Sequence, residues 1–513
     1  MRLSAYIAGI LLLAGCTAQD KMPTLFEERA AASGITFRND LTEDEHQNIV
    51  DYLYFYNGAG VAVADFDQDG FEDIYFVRNQ GANELYWNKG DWQFEEGAAA
   101  AGVSGISDFQ TGVTVTDINA DGYPDLYLSA VEYLHWKGRN EFYLNNGDGT
   151  FTETRLIDGM DVVGYGQQAL FFDADNDGDQ DLYVLRHSVH PSGAYNNASQ
   201  RAVRDAKAGD LFYLNTGSAR QPVFEDRSED WGILGSQIGY GLSIVAEDFN
   251  ADGFLDLFIG NDFHENDYLY LNDRGAGFEL VTQESFRANS KFTMGVDAGD
   301  MDGDGLADLF TLDMKPWDEV ERKNALGAAP FHIHKYKRGQ GYVEQFPKNS
   351  LHLNAGNIPR KGKSALPVFE DVAAFFNVES TDWSWGVLME DFDGNGTKDI
   401  FVTNGIKRRP NDLDYIQFLS DGGGATAVDE EIYKKMPPGA VENRAYSNQV
   451  RDDFAYESAL IESSEAWGLN YKGTSNGGAY GDFNNDGRWD LVVNNLDGPA
   501  LLYANVLGTS STM

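Results

Sequence analysis

The sequence predicts an all-β chain folded as a seven-bladed β-propeller with long loop insertions. Three observations carry that expectation. An acidic motif, D-x-[DN]-x-[DN]-G-x-x-D, occurs seven times along 513 residues. Each copy lies between two short apolar runs rich in β-branched and aromatic residues. A strand, Asn-Gly type turn, strand signature follows several copies, as in "ELYWNKGDWQFEE" from Glu84 and "EFYLNNGDGTFTE" from Glu141. One repeat therefore holds about four strands, and seven four-stranded units make a propeller. The 56 glycines, 32 phenylalanines and 26 tyrosines suit short strands joined by tight turns.

The first element is a leader. "MRLSAYIAGILLLAGCTAQD" has one basic residue, an apolar run from Ala5 to Ala14 and small residues before Cys16. That run is too short to span a bilayer, so residues 1–15 read as a signal peptide. The "LAGC" ending resembles the bacterial lipoprotein lipobox, which implies that Cys16 is lipidated and begins the mature chain. Cys16 is the sole cysteine, so no intramolecular disulfide can form. Thr17 at the next position implies the outer membrane or cell surface. Residues 16–23 are then a tether, 24–505 the propeller and 506–513 a tail.

The cation loops come next. Their ligand positions are Asp65, Asp67, Asp69 and Asp73; Asp117, Asn119, Asp121 and Asp125; Asp173, Asp175, Asp177 and Asp181; and Asp248, Asn250, Asp252 and Asp256. The last three loops offer Asp300, Asp302, Asp304 and Asp308; Asp391, Asp393, Asn395 and Asp399; and Asp482, Asn484, Asp486 and Asp490. Together they carry 24 carboxylates, which repel one another unless cations lie between them. Oxygen-only ligands at alternate positions suit Ca2+, in up to seven sites, whereas zinc would call for His or Cys. The sixth residue is Gly in every copy, which lets the chain turn sharply. The loop at Asp391 is expected to bind most weakly, because Asn395 replaces a carboxylate and Lys398 adjoins it. An EF-hand would need a Glu at position 12, where Phe76, Leu128, Val184, Ile259, Thr311, Val402 and Val493 stand.

At these residues the sequence resembles the FG-GAP or VCBS repeat family, the propeller repeat also found in integrin α subunits, over roughly residues 24 to 505. The resemblance implies calcium bound between two strands of each blade and no particular activity. Bacterial relatives often carry a further C-terminal module of ASPIC/UnbV type, for which the residues after 505 leave no room. Ring closure is expected from the N-terminal segment, since "FEERAAASGI" from Phe26 nearly copies the outer-strand sequence "FEEGAAAAGV" from Phe94.

Loop starts are spaced 52, 56, 75, 52, 91 and 91 residues apart, so the units after Asp300 and Asp391 hold long insertions. The first contains "FHIHKYKRGQGY", with Lys335, Lys337 and Arg338, and the second "NGIKRRPNDLDY", with Lys407, Arg408 and Arg409. These read either as solvated insertions balancing local acidity or as a site for an acidic glycan or protein partner. His187, His190 and His264 lie just beyond apolar runs and read mainly as loop caps, with acid/base residues of a cleft as the alternative. A formal charge of -44 argues against nucleic acid, and no phosphate loop, G-x-S-x-G or H-E-x-x-H occurs. The leading expectation is a calcium-binding, lipid-anchored surface propeller that binds a glycan or protein. The alternative is a calcium-dependent polysaccharide lyase acting on uronate polymers, with His332, His334, Tyr336 and Arg338 as acid, base and carboxylate-neutralising groups.

Overall fold

The apolar run after each acidic loop is buried on both faces. Asp125–Ala130 and Asp256–Asn261 are buried at every residue, as a strand must be when sheets cover it from both sides. In the computed structural model, which describes residues 24–155, 162–189, 199–327, 330–422, 428–449 and 460–508, such strands form seven four-stranded antiparallel sheets. The first is Val61–Ala64, Asp73–Phe76, Glu84–Asn88 and Phe94–Glu96. The next five sheets begin at Gln110–Thr116, Gly166–Phe172, Gly241–Glu247, Gly295–Gly299 and Ser384–Glu390. The seventh holds Ser475–Gly481, Asp490–Asn495, Leu501–Asn505 and, from the other end of the chain, Phe26–Glu28.

The first strands of successive sheets touch one another in order, and that of the seventh touches that of the first, so the sheets close as the seven blades of a propeller. Glycines at the starts of these inner strands permit the approach. A Cβ on Gly112 would lie 2.6 Å from the Gln167 carbonyl oxygen, and one on Gly295 would lie 2.1 Å from that of Trp385.

The apolar cores lie between blades. Leu85 and Tyr75 of the first blade pack with Leu126 and Tyr143 of the second, and Phe76 and Phe94 of the first with Val492 and Leu502 of the seventh. The same holds at the other five junctions. Alternate side chains point to opposite faces, so each blade feeds two cores and is stable only between neighbours.

An eighth cluster fills one end of the ring. Residues 41–56 contribute Leu41, Ile49, Tyr52, Tyr54, Phe55 and Tyr56 to it, against Phe109, Tyr240, Trp383, Trp385 and Leu496 from the blades. The aromatic run "DYLYFYNG" is thus a plug reaching several blades, a role its sequence did not announce. The basic stretch of the first long insertion is a helix, Phe331–Gly339, and the second insertion holds the helices Leu413–Ser420 and Asp429–Tyr433. Both insertions join second to third strands, so they emerge opposite the acidic loops, which join first to second strands.

Phe26 is 1% exposed and packs edge-on against Phe392 of the sixth blade, 6.2 Å between ring centroids, while its strand pairs with Leu501–Asn505. Phe26→Ala is expected to lower the unfolding free energy by about 3–5 kcal/mol, read as an earlier thermal transition. A variant that melts like the parent would show that this strand adds nothing to closure.

Candidate functional site

Each acidic loop is built by its own carboxylates before any ion is considered. In the first, Asp65 accepts the backbone N–H of Asp69 at 3.1 Å and of Gly70 at 3.0 Å, one on each carboxylate oxygen. The other six loops repeat both bonds. Gly70 sits at φ 94°, the left-handed region that the turn requires. The fourth loop residue is also left-handed, and in three loops its side chain reaches the next loop around the ring. Asn176 Nδ2 donates to the Gly253 carbonyl at 2.9 Å, Asn485 to that of Gly70 at 2.7 Å, and Gln68 to that of Gly122 at 2.5 Å.

The ninth position is the most constrained. Asp73 is fully buried and accepts the N–H of Phe66 at 3.0 Å on one oxygen and that of Asn88, at the end of the third strand, at 2.8 Å on the other. All seven loops do the same. The asparagine then turns to the preceding blade. Asn88 Nδ2 donates to the Phe483 carbonyl at 2.9 Å and Asn145 Nδ2 to that of Phe66 at 2.8 Å. Asn272, Asn354, Asn448 and Asn505 repeat the link to Ala174, Phe249, Met301 and Phe392, whereas Asn215 Nδ2 has no partner among the described residues. Sequence reasoning took these asparagines as turn residues. The missed signal was their fixed place at the end of every third strand, as in "YWN", "YLN", "HLN" and "YAN".

The donor set fits a hard divalent cation. Ligand oxygens of Asp65, Asp67 and Asp73 lie within 4.8 Å of one another, as do those of Asp173, Asp175 and Asp181, of Asp300, Asp302 and Asp304, and of Asp391, Asp393 and Asp399. Among the described residues, buried oxygens of Asp393 and Asn250 have no hydrogen-bond partner, a costly state that a bound cation would relieve, whereas that of Asp252 has only Arg274 Nε, 4.0 Å away. Lys398, beside the sixth loop, pairs with Glu390, 3.0 Å from Nζ to Oε2. Asn395 there turns its amide nitrogen to the Asn448 carbonyl and its oxygen to Thr397.

The basic candidates do not form one patch. Lys335 is exposed, while Lys337 is buried and donates to Gln345. His334 and Arg338 both close on Glu344, at 2.7 and 3.1 Å, and His332 and Tyr336 are on the outer side of the helix. Lys407 pairs with Asp497 at 2.7 Å, Arg408 with Glu43 at 2.9 Å and the buried Arg409 with Asp382 at 2.7 Å, so the second trio ties the insertion to the plug and the ring. His187 is buried with Nε2 2.7 Å from the Tyr52 hydroxyl, and desolvation holds it down to about 3, a neutral structural group. His264 packs between Tyr240 and Tyr342, 5.5 and 6.2 Å between centroids. His190 and Cys16 lie outside the described residues. At the plugged end, the two insertions, the plug and the inner strands enclose a cavity of about 420 Å3.

Burial pushes the ninth-position carboxyls up to about 7 at Asp73, Asp125, Asp181, Asp308, Asp399 and Asp490, and to about 8 at Asp256, against the opposing pull of their N–H donors. A carboxyl raised on folding stabilises the fold fully below its unfolded value near 4 and loses that contribution as pH rises through 7 to 8. Buried Asp210, Asp262 and Asp267 act in the same direction. Protein kept in chelator should therefore melt several degrees lower at pH 7.5 than at pH 5.5. Excess calcium should abolish or invert that order, and an unchanged order with calcium would argue against cations at these carboxylates.

The model of the FG-GAP-like repeat matches residues 65–128, 132–184 and 208–311. Human cartilage acidic protein 1 is 28% identical over 205 residues, covering 40% of this chain and 28% of that protein. Chicken integrin alpha-6 is 31% identical over 170 residues, covering 28% of this chain and 15% of its own. The chain thus spans under a third of the length of either relative. Among solved structures, the V. cholerae biofilm matrix protein Bap1 aligns over 93% of this chain and 92% of its own at 10% identity, with a TM-score of 0.40, too loose a likeness for a comparison of sites. Seven copies of the acidic loop, each joining the first two strands of a blade, stand in a closed ring of seven, and the FG-GAP-like repeat is matched over three stretches of that ring.

Proposed function

We propose that the protein is a calcium-stabilised binding propeller, exported and held at the outer membrane or cell surface by a lipid on Cys16. Its insertion-bearing end meets a glycan or protein partner. The observation that carries the calcium reading is the buried side-chain oxygens of Asp393 and Asn250, which have no hydrogen-bond partner among the described residues, in loops whose other carboxylates are already held in place. Calcium would be held by positions one, three, five and nine, with the position-seven carbonyl, and would supply the positive charge that these carboxylates lack. Within each loop the chain's own work is positioning. Position one shapes the turn, position nine ties it to the third strand, and the asparagine ties it to the preceding blade.

The partner reading rests on placement. The cation loops lie at one end of the ring and the two long insertions at the other, where loops on a rigid scaffold are free to vary and bind. The relatives bear on the loop architecture and leave the partner's identity to experiment.

Calcium binding only the folded state adds about 2.7 kcal/mol per site at a hundredfold excess over Kd, with individual Kd values on the order of 10⁻⁴ to 10⁻³ M. A melting temperature in excess EDTA equal to that in millimolar calcium would overturn the calcium reading. Asp181→Asn should reduce the calcium bound by about one equivalent in calorimetric titration while the other loops still respond. For the anchor, Cys16→Ala should move the protein from the membrane fraction to a soluble or unprocessed pool, and continued membrane partitioning would remove the lipid from the proposal.

A further inference from the structure

We propose that the cavity at the plugged end is a binding site for a small amphipathic anion, a molecule with an apolar chain or ring system and one carboxylate-like head. The cavity goes beyond the calcium reading, and it uses none of the cation loops. Its volume of about 420 Å3 is that of a small-molecule site. Its apolar walls include Tyr54 of the plug, Leu242, Met294, Trp383 and Trp385 of the inner strands, and Phe292. The rim is made by both insertions, through Leu326 and Ile333 of the first and Ile416 of the second.

Two lysines face this apolar space, and their charge is the point of the site. Lys291 and Lys337 line the cavity and also a second one of about 320 Å3, so both residues belong to the wall the two share. The nearby acids are already used by protein donors. Asp313 accepts from the Ser290 hydroxyl at 2.7 Å and from the N–H groups of Lys291, Phe292 and Met314. Asp262 accepts from the Phe263 N–H at 2.7 Å and the Tyr54 hydroxyl at 3.3 Å. Glu265 is paired with Arg201 at 2.6 Å, and Glu344 with His334 and Arg338.

The lysines have no such partner among the described residues. Lys291 Nζ makes no hydrogen bond or ion pair among the described residues; it lies 4.3 Å from the Phe292 ring and feels the carboxyls of Asp313 and Asp262 only at longer range. Lys337 Nζ donates to the Gln345 amide and lies 5.2 Å over the Tyr342 ring. Desolvation and the neighbouring Lys291 push Lys337 down to about 8, and desolvation lowers Lys291 as well. Two partly desolvated cations with no carboxylate at ion-pair distance, at the wall of an apolar chamber whose one acidic lining residue, Asp262, is already bound to Phe263 and Tyr54, are complementary to an anionic head whose tail fills the chamber.

The test uses the full, calcium-saturated protein with decanoate and its neutral counterpart decanol, below micelle-forming concentrations. Binding is followed by calorimetry and by the fluorescence of the tryptophans, two of which line the wall. Decanoate should bind saturably and at least tenfold more tightly than decanol. Lys291→Met and Lys337→Met should each weaken decanoate at least tenfold, leave decanol within twofold, and keep calcium-dependent melting. Ile416→Trp, which narrows the chamber without touching a charge, should weaken both ligands. No saturable binding of decanoate, equal affinity for the two ligands, or decanoate binding indifferent to Lys291→Met in a variant that still melts with calcium would overturn the proposal.

Discussion

The buried carboxylate at the ninth position of each acidic loop is the constraint on which the rest of the ring depends. Its two oxygens accept one N–H from the loop's own second residue and one from the end of the third strand, so a single side chain fixes the loop against the blade. The residue supplying the second N–H is an asparagine whose amide crosses to the carbonyl of the second residue in the preceding loop. Hydrogen bonds therefore pass from loop to blade to neighbouring loop, broken among the described residues only where Asn215 leaves its amide nitrogen without a partner. A carboxylate in such a place is costly to ionise, which is why its pKa rises, and a nearby cation is the natural compensation.

The apolar architecture follows the same logic of mutual dependence. Strands buried on both faces cannot be satisfied within one sheet, so the cores form at the seven junctions and no blade is complete alone. A linear array of such blades would leave a core open at each end and two free sheet edges. Pairing Phe26–Glu28 with Leu501–Asn505 removes both defects together, since Phe26 also fills the junction between the sixth and seventh blades.

The two ends of the ring are consequently different materials. One is a belt of acidic turns held by backbone hydrogen bonds. The other is apolar and aromatic, closed by the plug and by two insertions, the second of which is tied by three basic residues to acids of the ring and plug. Arg409 with Asp382, Arg408 with Glu43 and Lys407 with Asp497 show that positive charge in an acidic chain can serve to hold an insertion down. Lys291 and Lys337 stand apart because the acids nearest them are already committed to N–H and hydroxyl donors or to other cations.

The local chemistry was determined by the sequence alone. Alternate Asp and Asn before a Gly describe an oxygen-rich turn, and the β-branched runs on either side describe strands, because both depend only on neighbours along the chain. The seven-fold count and the all-β class follow from repetition of that unit. The tertiary structure decided everything that joins distant residues. "DYLYFYNG" reads as an apolar run until residues of several blades surround it, and the asparagine of "YLN" reads as a turn residue until a neighbouring loop offers its carbonyl. Likewise "FHIHKYKRGQGY" reads as one basic cluster, yet a helix turns Lys335 outward and Lys337 inward, and Glu344 captures His334 and Arg338. Side-chain direction and ion pairing are set by the helix period and by what the ring places opposite, and neither is written in the spacing of the residues themselves.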